Sequence, residues 1–197
     1  MAAQQFLDPH IDSITYWKSF LQGDKAAFEE IYNRYYERLY QYGKHLTPNE
    51  NIVRDGIQTL FVDLWQRKEH LSITPNVQGY LFKALRRVII RQLQDQRKVA
   101  IHSPLVSPSP EEEIIQEETN DLNHRQVHQA LAELTQHQRE VVHLRFFANF
   151  SNQQIAHTLN ISVNTVYNII SLSLAKLRTH YVGKNTILIL LAHLLLC

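Results

Sequence analysis

The sequence predicts an all-α protein made of two helical domains that are joined by a connector. Apolar residues recur at spacings of three and four through most of the chain, as they do on one face of an amphipathic helix. Only 5 of the 197 residues are Gly, and no strand-like alternation of apolar and polar residues occurs. Near the middle of the chain, Pro104, Pro108 and Pro110 interrupt the helical pattern and mark the connector.

Four helices are predicted before the connector. A short amphipathic helix covers Asp12–Leu21, and Asp24 can cap a second helix, whose apolar residues run from Ala27 to Tyr42. The break at Thr47-Pro48-Asn49 ends this helix. A third amphipathic helix covers roughly Asn51 to Lys68, and after a loop a fourth runs from about Val77 to Lys98.

The chain after the connector ends in a predicted pair of helices with a tight turn. Ser151 can cap the first helix, Asn160 tolerates the left-handed conformation that ends it, and Ser162 offers a second cap. Four helices are predicted in this half. The first ends at Leu134, and the others cover about Gln136–Phe147, Asn152–Leu159 and Val163–Thr179.

The last of these helices has the polarity of a helix that enters the DNA major groove. Its inner face would carry Val163, Val166, Ile170, Leu174 and Leu177. Polar residues are left on the outer face, which is the arrangement of helix-turn-helix proteins. A helical hairpin that binds no DNA has the same pattern, so this alternative stays open from the segment alone.

Charge is distributed unevenly, although the formal net charge is only +1. Residues 99–123 hold six acidic residues and no Lys or Arg, whereas Gly79–Lys98 holds six basic residues and one acidic residue. A basic stripe of this kind is typical of nucleic-acid binding, with a solvated helix face as the alternative. The acidic run is consistent with a plain tether between the domains.

Secretion and membrane insertion are not suggested by the sequence. The only cysteine is Cys197, so no internal disulfide is expected. The N-terminus lacks the features of a signal peptide, and the apolar segment Ile187–Cys197 is too short to span a bilayer. We therefore expect a cytoplasmic protein.

Enzyme and metal motifs are weak. His124 and His128 lie one helical turn apart, but the spacing supplies no third ligand. There is no Gly-rich phosphate loop and no nucleophile elbow. The sequence therefore predicts no cofactor, no metal site, no small-molecule substrate and no catalytic residue.

Four segments, in this order, resemble an extracytoplasmic-function (ECF) sigma factor of the sigma-70 family. They are GDKAAFEEIYNRYYERLYQYGKHLT, RDGIQTLFVDLWQRKEHL, GYLFKALRRVIIRQLQ and LTQHQREVVHLRFFANFSNQQIAHTLNISVNTVY. The resemblance implies sigma region 2 over residues 1–98, a flexible acidic linker over 99–119, the helix-turn-helix of sigma region 4 over 120–182 and an apolar tail over 183–197. The phrase TVYN and the apolar C-terminal end look most like Bacteroidetes-type members, which often serve iron-uptake or polysaccharide systems.

The resemblance implies three binding surfaces. Region 2 would bind the clamp helices of the RNA polymerase β′ subunit, and region 4 would contact the β flap. The polymerase-binding residues would be Asp55, Gln58, Phe61, Asp63 and Trp65. Phe61 and Trp65 share one helix face. Each is therefore explained equally well by burial in the core and by a role as a partly exposed interface anchor.

Promoter DNA would bind to the other two surfaces. The −10 element would meet Asn76, Tyr80, Lys83, Arg86, Arg87 and Arg91, with a flipped base held by the loop His70–Val77. Base edges of the −35 element would meet Asn164, Thr165, Tyr167, Asn168 and Ser171. Phosphates there would meet Arg145, Ser151, Lys176 and Arg178.

The sequence departs from the family pattern at several positions. Gly56 stands inside a helix where an apolar residue is usual, Thr59 replaces an acidic residue, and Arg87 replaces a frequent Asn. Family members often carry Lys or Arg near three positions of the recognition helix that are Tyr167, Ile169 and Leu172 here, and Ile169 and Leu172 form an expected exposed apolar pair. We hypothesise that the C-terminal tail or an anti-sigma factor covers this pair.

The sequence thus predicts a sigma factor that directs promoter-specific transcription under the control of an anti-sigma factor. The main alternative is a free-standing helix-turn-helix regulator that binds an operator as a dimer. It would not need a polymerase-binding helix followed by a basic, aromatic surface. A membrane-surface adaptor that uses the apolar tail is less well supported, because the tail has no basic amphipathic flank.

Overall fold

The computed structural model describes residues 9–102 and 133–179, and every regular element within these ranges is helical. The predicted all-α fold class is therefore confirmed. The chain divides into two compact units between Gln92 and Leu93. The apolar tail, most of the acidic connector and most of the helix predicted to end at Leu134 lie outside the described residues.

The first unit contains three α-helices, one 3-10 turn and the N-terminal part of a fourth α-helix, which continues past Gln92. They are α1 (Pro9–Leu21), α2 (Lys25–Leu46), α3 (Glu50–Arg67), the 3-10 turn (Lys68–His70) and α4 (Val77–His102). α4 continues four residues beyond its expected end at Lys98.

Side-chain caps fix where these helices begin. Asp24 accepts hydrogen bonds from the backbone N–H groups of Ala26 and Ala27, which confirms the predicted cap of α2. The amide oxygen of Asn49 caps α3 in the same way. Asn76 caps α4, since its side-chain oxygen accepts from the N–H of Gly79 at 2.9 Å.

The core of the first unit lies between aromatic and aliphatic faces of the four helices. Its largest fully buried side chains are Trp17, Phe20, Ile31, Leu39, Tyr42, Ile57, Leu81, Phe82, Leu85 and Ile89. α3 and α4 approach each other closely at Gly56. A Cβ atom there would lie 3.0 Å from Cγ1 of Ile89 and 3.5 Å from Cδ1 of Leu85. The glycine that weakens α3 as a helix therefore permits its contact with α4.

The second unit contains α5 (Gln136–Phe146), α6 (Asn152–Leu159) and α7 (Val163–Thr179). Ser151 and Gln154 form a reciprocal capping box at the start of α6, and Asn160 ends that helix with φ of +58°. The hydroxyl of Ser162 accepts from the N–H of Thr165 at 3.0 Å. The two caps and the left-handed backbone of Asn160 agree with the predicted helix-turn-helix.

α6 and α7 pack on α5 around a small apolar core. Its fully or nearly fully buried members include Leu134, Val142, Leu144, Phe150, Ile155, Val166 and Leu177. The polar outer face predicted for α7 is exposed, and its buried face is turned toward α5 and α6. The unit thus presents the second helix of the pair to solvent on a rigid support.

Candidate functional site

The outer face of α3 brings together all five residues that the sequence assigns to polymerase binding. They line two neighbouring depressions, which share Gln58 and Val62. The larger one, called the aromatic groove here, has a volume of about 530 Å³ and lies between α2 and α3. It is lined by Phe28, Tyr32, Tyr36, Arg54, Ile57, Gln58, Phe61, Val62, Trp65 and Gln66. The smaller one, of about 290 Å³, is lined by Asp55, Gln58, Thr59, Val62 and Asp63.

Rings in close contact form the walls of the aromatic groove. The ring centroids of Phe28 and Trp65 are 5.1 Å apart, and those of Tyr32 and Phe61 are 4.8 Å apart. Phe61 is only 5% exposed, so of the two alternatives left open by the sequence it is a core residue, at the floor of the groove. Trp65 is half-buried and keeps a solvent-facing edge.

Among the groove residues that sequence reasoning missed, two are large hydrophobic side chains exposed to solvent. Tyr32 is 38% exposed and Val62 is 46% exposed. Tyr32 belongs to the apolar stripe of α2, so its periodicity indicated a core residue. Burial raises the pKa of its hydroxyl, with a smaller contribution from Tyr36, so the ring stays neutral in this apolar setting. The wide apolar stripe of α2 was the only sequence signal that could have indicated a binding role for Tyr32.

A polar cluster closes one end of the aromatic groove. Nη2 of Arg54 lies 3.2 Å from Oε2 of Glu50, and its guanidinium lies 5.5 Å from the centre of the Tyr40 ring. Hydrogen bonds from Tyr40 and then from Arg54 lower the pKa of the Glu50 carboxyl. The Tyr40 ring also stacks on Tyr36 at 6.3 Å. Arg54 is therefore held as an oriented cation at the rim of an apolar surface.

The first turn of α4 carries an exposed tyrosine ring among cations. Tyr80 is 37% exposed, and its ring lies 5.3 Å from that of the buried Trp17. Burial raises the pKa of Tyr80, and the positive charges of Arg87 and Arg67 oppose this rise. Arg67 was not predicted, because it ends α3 and its proximity to Tyr80 is a tertiary contact. The negative charge of Asp63 adds to the rise, so two cations and one carboxylate act electrostatically on this ring. An exposed tyrosine ring can stack on a base, and nearby cations can attract phosphates.

The other residues assigned to the −10 element differ in their exposure. Lys83 and Arg86 are half-buried, whereas Arg87 and Arg91 are exposed. Asn76 is half-buried, and its side-chain oxygen is engaged as the cap of α4. These residues and Tyr80 lie on one helix and its capping residue, so the sequence spacing brings them to a common region of the surface.

The residues assigned to base edges of the −35 element all lie on the exposed face of α7. Asn164, Thr165, Tyr167, Asn168 and Ser171 are exposed, with Tyr167 at 59%. The hydroxyl of Thr165 is already hydrogen-bonded to that of Ser162, at 2.8 Å.

The apolar pair expected on α7 is exposed at only one of its two positions. Leu172 is 60% exposed, but Ile169 is half-buried. The buried face of α7 centres on Val166, Ser173 and Leu177, and Ile169 lies three residues after Val166 at the edge of this face. The hydroxyl of the buried Ser173 is satisfied within the helix, since it donates to the carbonyl of Ile169 at 2.7 Å.

The candidate phosphate-binding residues of this unit also support its own structure. Arg145 donates to the carbonyl of Phe150 at 2.9 Å, Ser151 caps α6, and Lys176 donates to the side chain of Gln138 at 3.3 Å. All three are exposed. Arg178 belongs to α7, but its side chain lies outside the described residues.

Within residues 9–102 and 133–179, no group of three or more His, Cys, Asp or Glu side chains is arranged to hold a metal ion. His124 and His128 lie outside the described residues. Among the described helices, none combines the length and apolar character that crossing a bilayer requires.

Two family models match the chain. The model of sigma-70 region 2 matches residues 31–99, and the model of sigma-70 region 4 matches residues 124–177. Together they cover more than half of the 197 residues. The chain is also similar to the ECF RNA polymerase sigma factor SigL of Mycobacterium tuberculosis, with 26% identity over 160 residues, which is 80% of this chain and 85% of that protein.

Solved structures show the same fold. The sigma factor RpoE in complex with the anti-sigma factor NepR from Bartonella quintana has a TM-score of 0.60 and 19% identity, over 78% of this chain and 95% of RpoE. CnrH in complex with the cytosolic domain of CnrY has a TM-score of 0.60 and 20% identity, over 85% of this chain and 96% of CnrH. With both sigma regions present and an ECF relative matched over most of its length, the chain belongs to the sigma-70 family and is an ECF sigma factor.

Proposed function

We propose that this sigma factor binds core RNA polymerase through α3 and brings it to promoters with two DNA-binding surfaces. The observation that carries the proposal is the grouping of the five assigned residues around two adjoining depressions on α3, within the region that matches sigma-70 region 2. The partners are the β′ clamp helices, the β flap and promoter DNA. The chain itself catalyses no reaction, because RNA synthesis belongs to the polymerase.

Polymerase binding is supported by the chemistry of α3. Trp65 and Val62 offer exposed apolar surface above the buried ring of Phe61. Asp55 and Gln58 flank this surface and are themselves exposed. An aromatic anchor surrounded by polar groups is the usual composition of an interface hot spot. A clamp helix with an apolar ridge and basic or amide side chains would complement this face.

Recognition of the −10 element is supported by the ring and the cations at the start of α4. Tyr80 offers one exposed face for stacking on an unpaired base. Arg67, Arg87 and Arg91 are exposed cations in the same unit and would hold phosphates of the displaced strand. The loop between the 3-10 turn and α4 would receive the flipped base.

Recognition of the −35 element is assigned to α7. Asn164 and Asn168 lie one turn apart on its exposed face, and asparagine can pair with adenine through two hydrogen bonds. This face carries tyrosine and leucine where basic residues are usual, so its attraction for phosphates is weak. We therefore expect promoter affinity to depend on both surfaces acting through one polymerase, as tethered weak sites do.

Control by an anti-sigma factor is part of the proposal. Two structures of similar fold are complexes of this kind, RpoE with NepR and CnrH with the cytosolic domain of CnrY. The aromatic groove and the exposed Leu172 are apolar surfaces that such a partner would cover. The chain would act in the cytoplasm, and the phrase TVYN and the apolar C-terminal end support a Bacteroidetes-type member.

The experiment is run-off transcription with core polymerase on a library of promoter variants. We expect promoter-specific transcripts that require the full chain. Trp65→Ala should weaken core binding, whereas Gln41→Ala, an exposed α2 residue outside the aromatic groove, should not. Asn168→Ala should change the preference among −35 variants without changing core affinity.

Two outcomes would contradict the proposal. One is the absence of both core binding and promoter-specific transcripts. The other is sequence-specific DNA binding by the chain alone with no affinity for core polymerase, which is the behaviour of a free-standing regulator.

A further inference from the structure

Trp17 of α1 makes two contacts with the surface proposed for −10 recognition. The side chain is fully buried, and its indole Nε1–H donates to the carbonyl of Ser72 at 3.2 Å across 55 residues of sequence. The indole ring also packs against the ring of Tyr80, with 5.3 Å between centroids and 60° between planes. One side chain therefore touches both the loop that precedes α4 and the exposed tyrosine of α4.

α1 is itself fixed to the rest of the first unit. The hydroxyl of Ser13 accepts hydrogen bonds from the Tyr35 hydroxyl at 2.9 Å and from Nη1 of Arg34 at 3.3 Å. The guanidinium of Arg34 also lies 5.3 Å from the ring centre of Tyr16. Because these contacts join α1 to α2 one turn before Trp17, the indole has a rigid base from which to act.

The loop reached by Trp17 is otherwise tied to its own neighbours in sequence. The N–H of Leu71 donates to the carbonyl of Lys68 at 3.3 Å, and the N–H of Asn76 donates to the hydroxyl of Thr74 at 3.2 Å. Such local bonds shape the two ends of the loop. The bond from Trp17 fixes its middle relative to a separate helix, next to Ile73, whose side chain is 60% exposed.

We propose that Trp17 is a positioning residue for −10 recognition. It holds the Ser72 carbonyl and supports the back of the Tyr80 ring, so that loop and ring are already oriented when an unpaired base arrives. Preorganisation of this kind lowers the entropic cost of binding. α1 precedes residues 31–99, which match the region 2 model, so the proposal adds a helix outside that match to the DNA-binding site. It rests on the proposed function of the loop and of Tyr80.

The test compares three proteins with wild type in run-off transcription on promoters that differ at single −10 positions. Trp17→Phe removes the N–H donor and part of the ring. Replacement of Trp17 by its benzothiophene analogue, in which sulfur stands for N–H, removes the donor and keeps the size of the ring. Leu39→Val is the packing control, because Leu39 is fully buried in the core of the same unit and lies on α2.

The readout is the ratio of transcript from the preferred base to transcript from each alternative base, together with core affinity. A mismatched base typically costs about fivefold to 150-fold in binding, and we expect both Trp17 replacements to lower this ratio at one −10 position by threefold or more. Leu39→Val should lower output at all promoters equally and leave the ratio unchanged.

The possible results separate the two proposals. If wild type gives no promoter-specific transcript, the proposed function fails. If wild type discriminates and the benzothiophene protein discriminates equally well, the positioning role of the indole N–H is wrong. A loss of discrimination in Leu39→Val equal to that in Trp17→Phe would assign the effect to general packing of the core, and would also overturn the inference.

Discussion

The exposed leucine of α7 offers a direct test of which face of this helix meets DNA. Leu172 is 60% exposed and lies one turn after Asn168, so a longer polar side chain fits there without changing the core. Leu172→Lys adds one cation to a face that has a shortage of them. If this cation contacts one phosphate, the slope of log affinity against log salt should steepen by about 0.9.

The expected magnitude follows from that slope. Lowering the salt from about 200 to about 50 mM should increase the affinity of Leu172→Lys relative to wild type by a further factor of about 3.5. The assay is fluorescence anisotropy with a labelled −35 duplex and holoenzyme over a series of salt concentrations. Leu172→Gln is the matched control, because it removes the same apolar surface and adds no charge.

The result that would refute this reasoning is a salt slope for Leu172→Lys equal to that for Leu172→Gln. Position 172 would then point away from the phosphates, and the orientation proposed for α7 would have to be revised. A gain in affinity that occurs equally in both variants would instead indicate that the exposed leucine opposes binding through its apolar surface.

Three further predictions concern the first unit. Trp65→Ala should weaken binding to core polymerase by about 2 kcal/mol, roughly 30-fold, as measured by competition for core, and an unchanged affinity would exclude Trp65 as an anchor. Gly56→Val should lower the free energy of unfolding by about 1–3 kcal/mol in urea titrations, since even a Cβ would lie 3.0 Å from Ile89, and an unshifted midpoint would contradict the close approach of α3 and α4. The pKa of Glu50 should lie below its ordinary value of 4.5, so the stability due to its contacts is present above that pH and is lost as the pH falls through the lowered pKa. Tyr40→Phe should raise this pKa in an NMR titration, because the hydrogen bond from Tyr40 is its largest cause, and no change would contradict that assignment.

Local chemistry made much of the fold predictable. The positions of Asp24, Ser151, Asn160 and Ser162 predicted where helices begin and end, because capping depends on a few neighbouring residues. The end of α4 was less predictable. α4 continues through residues 99–102, which were expected to belong to the connector, because no proline stands before Pro104 to interrupt the helix there.

The candidate site was less predictable wherever it depends on packing between helices. Periodicity placed Phe61 on the apolar stripe of α3, but it could not show that the ring is the buried floor of a groove whose other wall includes Tyr32. It could not bring Arg67 near Tyr80, nor Trp17 near Ser72, because both contacts join separate helices or loops. Residue spacing gives the face of one helix, whereas sites between helices depend on how those helices are arranged.

The close approach at Gly56 has a consequence for hybrid sigma factors. α3 carries the proposed polymerase-binding face and α4 carries the proposed −10 face, and the two helices meet where a side chain is missing. A chimera that takes α3 from a relative with a larger residue at this position, and keeps α4 from this chain, would force Ile89 aside and shift one face relative to the other. Exchanges of promoter specificity should therefore transplant α3 and α4 together, as a matched pair.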